Sequence, residues 1–206
     1  MAKSALSSRR KDGRHQRSER TRQLLVEAYL GLLREGVLVP TAAEIAKRAG
    51  YSTRSVFERF ADTPALSLAA FEYVSAQIAI RAAPQNVDGD RKTRILSYVE
   101  GRSLICEEWL PLWRALIRFS DRADHVKALI NRIRNAIVDR LRLMFASEVS
   151  TLSDVERREL LVVLEALVDF DCWGRMRERH GLSYDAAQRI WIKAIDKLLP
   201  GTPLAR

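Results

Sequence analysis

The 206-residue chain is 47% hydrophobic and 30% charged and carries a formal net charge of +9, a length that holds one large domain or a small one with a medium one. No run of about 18 apolar residues occurs, which excludes a transmembrane helix. Two cysteines without CxxC spacing and three scattered histidines argue against a disulfide framework and a zinc site, so buried thiols, a cytoplasmic location, no metal and no cofactor are expected.

The charge is concentrated at one end. Residues 1–22 hold eight basic residues against Asp12 and Glu19, a local balance of +6. No apolar core follows, so this is not a secretory signal, and Asp12, Gly13 and Glu19 interrupt the face a transit peptide needs. Residues 1–17 are read as a basic flexible arm that reaches a polyanion. From about Ser18 to Glu35, Leu24, Leu25, Ala28, Leu32 and Leu33 recur at helical spacing, with Gly36 as the stop. Val37 to Pro40 form an extended link. Thr41 to Glu44 form a capping box for a short helix that ends at Gly50. Ser52 or Thr53 caps a second short helix, Arg54 to about Phe60. Thr63 is expected to cap, and Pro64 to begin, a long helix to about Arg81. A loop over 83–90 follows, then helices near 91–108, 110–119, 122–147, 154–179 and 184–199. This predicts an all-α chain of about nine helices, with no useful strand pattern.

Two short helices around a Gly-containing turn, with small residues at the crossing, are the helix-turn-helix signature. It spans about 41–60. Ile45, Ala46, Ala49, Val56, Phe57 and Phe60 supply its core, and Ala46 and Ala49 let the helices approach. The second helix is the one that enters the major groove in such motifs. Arg54 is the expected base reader, because arginine pairs in bidentate fashion with guanine. Thr41 and Ser52 or Thr53 are caps that can also touch phosphate, and Lys47 and Ser55 flank the same surface.

Over this stretch the chain resembles the tetracycline-repressor (TetR) family of bacterial regulators. The resemblance rests on Thr41 to Ser52, on Ser55-Val56-Phe57-Glu58-Arg59-Phe60, and on Leu66, and covers about 60 residues with the specific helix-turn-helix pattern of the family. Three positions depart from it: Phe57 stands where a tyrosine is usual, Arg59 replaces a histidine and brings a permanent charge, and Thr63 replaces a lysine. The resemblance implies an N-terminal three-helix DNA-binding domain over 18–78, Phe57 and Arg59 included in its surface. A helical regulatory and dimerisation domain follows over 79–206.

The helices at 154–179 and 184–199 are apolar on more than one face, and a surplus face suggests a partner. In the resembled family the last two long helices form the dimer interface. Leu164, Leu167, Val168, Trp191, Ile195 and Leu198 are therefore assigned to a homodimer that reads the two halves of a palindromic operator in double-stranded DNA. Phe71, Tyr98, Trp109, Trp113 and Phe119, with Arg102, are assigned to a pocket for an apolar or aromatic effector; Glu108 and Arg114 are further polar candidates. The expected function is a sequence-specific regulator, a repressor released by a small molecule. A regulator without ligand control and, more remotely, an enzyme stay open, although no nucleophile elbow, phosphate loop or metal spacing occurs.

Overall fold

The computed structural model describes residues 2–81, 83–118 and 124–203, with 2–15, 76, 77, 79–81 and 125 described by backbone alone. Its first helix, α1, runs from Ala2 to Arg34, so the backbone of 2–17 continues the helix where the sequence suggested a flexible arm. That segment has one glycine and no proline to interrupt it, and its Ala, Arg, Lys and Gln are good helix formers. The helix stops where expected, with Gly36 at φ 87°.

The other helices are α2 (Ala42–Ala49), α3 (Thr53–Phe57), α4 (Thr63–Arg81), α5 (Arg91–Ile117), α6 (Asp124–Met144), α7 (Ala146–Val149), α8 (Asp154–Leu167), α9 (Phe170–Gly174) and α10 (Tyr184–Leu198); a π-helical turn over Arg175–Arg179 follows α9. No strand occurs among the described residues, and no described helix is long and apolar enough to cross a membrane.

Four helix boundaries differ from the sequence expectation. Asp62, not Thr63, caps α4, its Oδ1 accepting from the Ala65 amide at 2.8 Å. Pro64 then sits at the second helical position, where its missing N–H is still one of the unpaired amides. Helix α5 passes through Pro111 without ending. Leu110, Leu112 and Trp113 are all buried, and their packing outweighs the lost hydrogen bond. The span expected as one helix from 122 to 147 turns at Phe145. The span 154–179 breaks at Val168, because the Asp169 carboxylate accepts from the Asp171 amide at 2.9 Å and starts α9.

Helix α1 packs on α2 and α4, α2 on α3, and α4 on α5. Helix α5 then meets α6, α9 and α10, while α8 packs on α6 and α10. A continuous apolar core runs from Leu25 to Leu199. Cys106 and Cys172 are unbonded, and burial pushes the Cys106 thiol up to about 12, so it stays protonated.

Among the described residues, one ion pair lies fully inside. Arg94 Nη2 and Nη1 donate to Glu148 Oε1 and Oε2 at 2.6 and 2.7 Å, and Nη1 also donates to the Met144 carbonyl at 2.7 Å. Thr202 Oγ1 donates to the same carboxylate at 2.5 Å. Burial alone would raise the Glu148 carboxyl, but Arg94 and Thr202 hold it at about 2. That lies below the ordinary carboxylate value of about 4.3, so this stabilisation is present at neutral pH and is lost as pH falls toward 2. Arg94→Met should leave Glu148 buried without its cation and cost about 3–5 kcal/mol at neutral pH. In that variant burial raises Glu148 with only the Thr202 and backbone hydrogen bonds opposing it, so acid relieves the penalty. Urea unfolding should show the stability gap between wild type and variant narrowing from about pH 6 to about pH 3; a constant gap would refute the pairing as its source.

Candidate nucleic-acid interface and internal cleft

The α2–turn–α3 unit is built by local hydrogen bonds. The Thr41 amide donates to Glu44 Oε2 at 2.8 Å and the Glu44 amide donates to Thr41 Oγ1 at 3.2 Å, completing the capping box. Gly50 adopts φ 74° and ψ 28°. Its N–H donates to the Lys47 carbonyl at 3.3 Å, and the Tyr51 N–H reaches the Ala46 carbonyl at 2.9 Å. These two bonds form a Schellman closure. Ser52 caps α3, accepting from the Ser55 amide at 3.2 Å. Helical hydrogen bonding continues past α3, with the Phe60 amide donating to the Val56 carbonyl at 2.9 Å.

This frame buries Ile45, Ala46, Val56 and Phe60 and leaves Thr41, Lys47, Ser52, Thr53, Arg54 and Phe57 exposed, with Ser55 half-buried. The Arg54 side chain is 87% exposed. Its Nε donates to Glu58 Oε1 at 2.9 Å, and this pair holds the Glu58 carboxyl below its usual value. Phe57, expected in the core, is instead 59% exposed, because one short helix turns only Val56 and the downstream Phe60 inward. Arg59 lies along its own helix, Nη1 donating to the Ser55 carbonyl at 3.2 Å.

Sequence reasoning missed two neighbours of this surface. Tyr51, in the turn, is exposed and accepts from Thr21 Oγ1 at 3.4 Å, tying the turn to α1. The Glu58 partnership of Arg54 was legible from its i,i+4 spacing. Gly31 in α1 also has a role: a Cβ there would stand 2.6 Å from Arg48 Nε. Its absence lets Arg48 lie across α1 and bond Glu35 at 2.6 Å.

A cleft of about 560 Å³ opens between α4, α5 and α6, lined by Phe71, Arg102, Ile105 and Leu129 among others. A second, smaller cavity of about 20 Å³ is lined by Tyr98, Arg102 and Arg140. Of the residues expected to form a pocket, Phe71 and Arg102 thus line the cleft and Tyr98 its small neighbour. Trp109 and Trp113 line neither. Both are buried, Trp109 under the Arg34 guanidinium at 5.0 Å and Trp113 stacked on Phe170 at 4.9 Å. Phe119 lies outside the described residues. Arg114 is engaged by Glu178 through two bonds of 2.7 Å. No group of metal-ligating residues occurs among the described residues.

The residues expected at a dimer interface separate into two sets. Leu164, Val168, Trp191 and Ile195 are fully buried within one chain, and Trp191 packs on Trp173 at 4.8 Å. They are intramolecular core. Leu167 is half-buried and Leu198 exposed. The apolar residues left uncovered are Val155, Val162 and Val163 on α8 and Ile190 and Leu198 on α10. Of these exposed apolar residues, only Leu198 is among those expected at an interface.

No protein-family model and no curated protein matches the sequence. Solved structures do match. A transcriptional regulator from Rhodococcus sp. Rha1 superposes with a TM-score of 0.68 at 15% identity, over 88% of this chain and 99% of that one. A protein from Rhodococcus sp. named as a candidate TetR-family transcriptional regulator gives 0.60 at 20% identity, over 87% and 98%. The chain has the TetR fold. NalD of Pseudomonas aeruginosa, the secondary repressor of the MexAB-OprM multidrug efflux pump, shares this fold with a TM-score of 0.56 at 19% identity, over 89% and 98%. In this chain the helix-turn-helix depends on Gly50, whose left-handed φ has open space around it. Gly50→Ala should therefore cost about 1–2 kcal/mol from backbone strain alone, read as a lower unfolding midpoint. Undiminished stability would show that the turn does not need that φ.

Proposed function

We propose that the chain is a homodimeric, sequence-specific DNA-binding regulator that represses transcription and is released from its operator by a small molecule. The observation that carries this reading is Arg54, projecting from the first turn of a helix whose opposite side is fixed in the core. N-terminal residues of the second helix of a helix-turn-helix are those that meet base edges. Thr41, Lys47, Ser52, Thr53, Ser55, Phe57 and Arg59 surround it as phosphate and sugar contacts. The basic residues of 1–17 add sequence-independent attraction to the DNA backbone. Binding-site selection with the purified protein should return a palindrome. Arg54→Ala should weaken the selected site by about 1–3 kcal/mol and relax preference at one position of each half-site; an equal loss on random DNA would reassign Arg54 to phosphate.

One reading helix of five residues carries little information, so specificity requires two copies. The uncovered apolar residues of α8 and α10 are the surface we assign to the homodimer. Val162→Glu should yield a folded monomer by analytical ultracentrifugation, since Val162 is 62% exposed in one chain. A dimer that survives this change would place the interface elsewhere.

Release has a direct route. Helix α4 packs on α1 of the DNA-binding unit and on α5, and its Phe71, Ser75 and Ile78 form one wall of the cleft. A ligand there bears on the helix that carries the reading unit. Half-sites lie about one helical turn apart, so small changes in the separation of two reading helices are costly. The coupling is thermodynamic and reciprocal, with about 1–3 kcal/mol typical: DNA must weaken the ligand by the factor by which the ligand weakens DNA.

A further inference from the structure

The cleft between α4, α5 and α6 is largely apolar, with Phe71, Ile105, Leu129 and Ile137 on its walls, yet it contains three arginines, Arg102, Arg132 and Arg140. Arg102 is only 6% exposed. Its Nε donates to the Val168 carbonyl at 2.9 Å and its guanidinium lies 4.5 Å from the Phe170 ring. Its Nη2 is buried and has no hydrogen-bond partner among the described residues; the same holds for Arg140 Nε and the Tyr98 hydroxyl. Among the described residues, no carboxylate stands within ion-pair distance of Arg102, Arg132 or Arg140. Glu165, which feels the charge of Arg102, lies 3.9 Å from Arg134, and burial raises its carboxyl.

This departs from how buried charge is normally handled in proteins. Arg94 on the same helix is fully buried too, but it meets a carboxylate and a carbonyl. Arg102 and Arg140 instead face one another as like charges, and burial together with Arg102 lowers the Arg140 pKa. A buried cation such as Arg102 is costly without an ion-paired anion, and a guanidinium fork is shaped for a planar carboxylate. Both arginines line the cleft and the small cavity beside Tyr98, so these two cations are shared by a largely apolar cleft and its small neighbour.

We propose that the cleft binds an amphipathic carboxylate, its head group held by Arg102 and Arg140 and its hydrocarbon or aromatic body lying along Phe71, Ile105, Leu129 and Ile137. The assignment rests on reading the cleft as the effector site and names the chemical class of that effector. The volume suits such a ligand, since small-molecule sites run from about 300 to about 1,000 Å³. Arg132, exposed at the rim, adds attraction for an incoming anion.

The test uses the full chain and four probes: decanoate, decanol, decyltrimethylammonium and inorganic phosphate. Tryptophan fluorescence titration and thermal unfolding report binding. Decanoate should bind saturably and raise the unfolding midpoint, decanol at least about tenfold more weakly, a difference of about 1.4 kcal/mol, and the other two not at all. Decanol binding as tightly as decanoate, or phosphate alone giving the same stabilisation, would overturn the proposal. Arg140→Met and Arg102→Met should each remove the preference for decanoate over decanol; Arg140, half-buried, serves if Arg102→Met does not fold. A retained preference in a folded variant also overturns it. Operator binding is measured separately. A chain that prefers decanoate but holds its operator unchanged would support this assignment and refute ligand release. A neutral amphiphile that releases DNA would do the reverse.

Discussion

Buried polar groups on α5 must find partners from other elements, and the C-terminal bundle is arranged around that requirement. The helix packs against α1, α4, α6, α9 and α10, so its polar side chains cannot all turn to water. Along its length four of them bind different neighbours, while the Tyr98 hydroxyl and Arg102 Nη2 bind none among the described residues. Arg94 takes Glu148 of α7, and Arg102 takes the Val168 carbonyl. Ser103 meets Tyr184 and Gln188 of α10 at 2.9 and 2.7 Å. Glu107 accepts from Trp173 Nε1 at 2.7 Å and from Arg177 at 2.8 Å. Apolar burial drives the helices together, but these bonds fix the rotation and height at which they settle.

The break between α8 and α9 follows from the same requirement. A continuous helix would keep the Val168 carbonyl in its own ladder. The Asp169 cap interrupts that ladder, and the carbonyl becomes an acceptor for Arg102. The break therefore satisfies one donor of a buried arginine, and the same bend brings Phe170 under its guanidinium.

This is also why the sequence was informative in some places and not in others. The capping box at Thr41 and the closure at Gly50 depend on residues within a few positions of each other, and they were legible. The break at Val168 has a single local mark, the Asp169 cap inside an otherwise helical run, and what it serves, the bond to Arg102, lies 66 residues away; the passage of α5 through Pro111 depends on tertiary packing and leaves no local signal. The surplus apolar face of α8 and α10 was visible as composition. Which of its residues turned inward was not, because Trp191 and Ile195 are recruited by Trp173 and the rest of one core. The cleft posed a related difficulty. Aromatic residues at helical spacing suggested its walls, whereas Trp109 and Trp113 went to the core and the space opened beside Phe71 and the arginines.

The bond between Arg54 and Glu58 has a consequence for selectivity. In the free protein one donor of this guanidinium, Nε, is already held by an acid four residues on. On DNA of arbitrary sequence it loses nothing by staying where it is. In the proposed complex, a guanine that draws this side chain away from Glu58 would have to outcompete a carboxylate present at effectively fixed concentration. In the base-reading role proposed for it, Arg54 would contribute only the surplus of the base contact over this internal rival, so weak or misplaced partners would gain little from it.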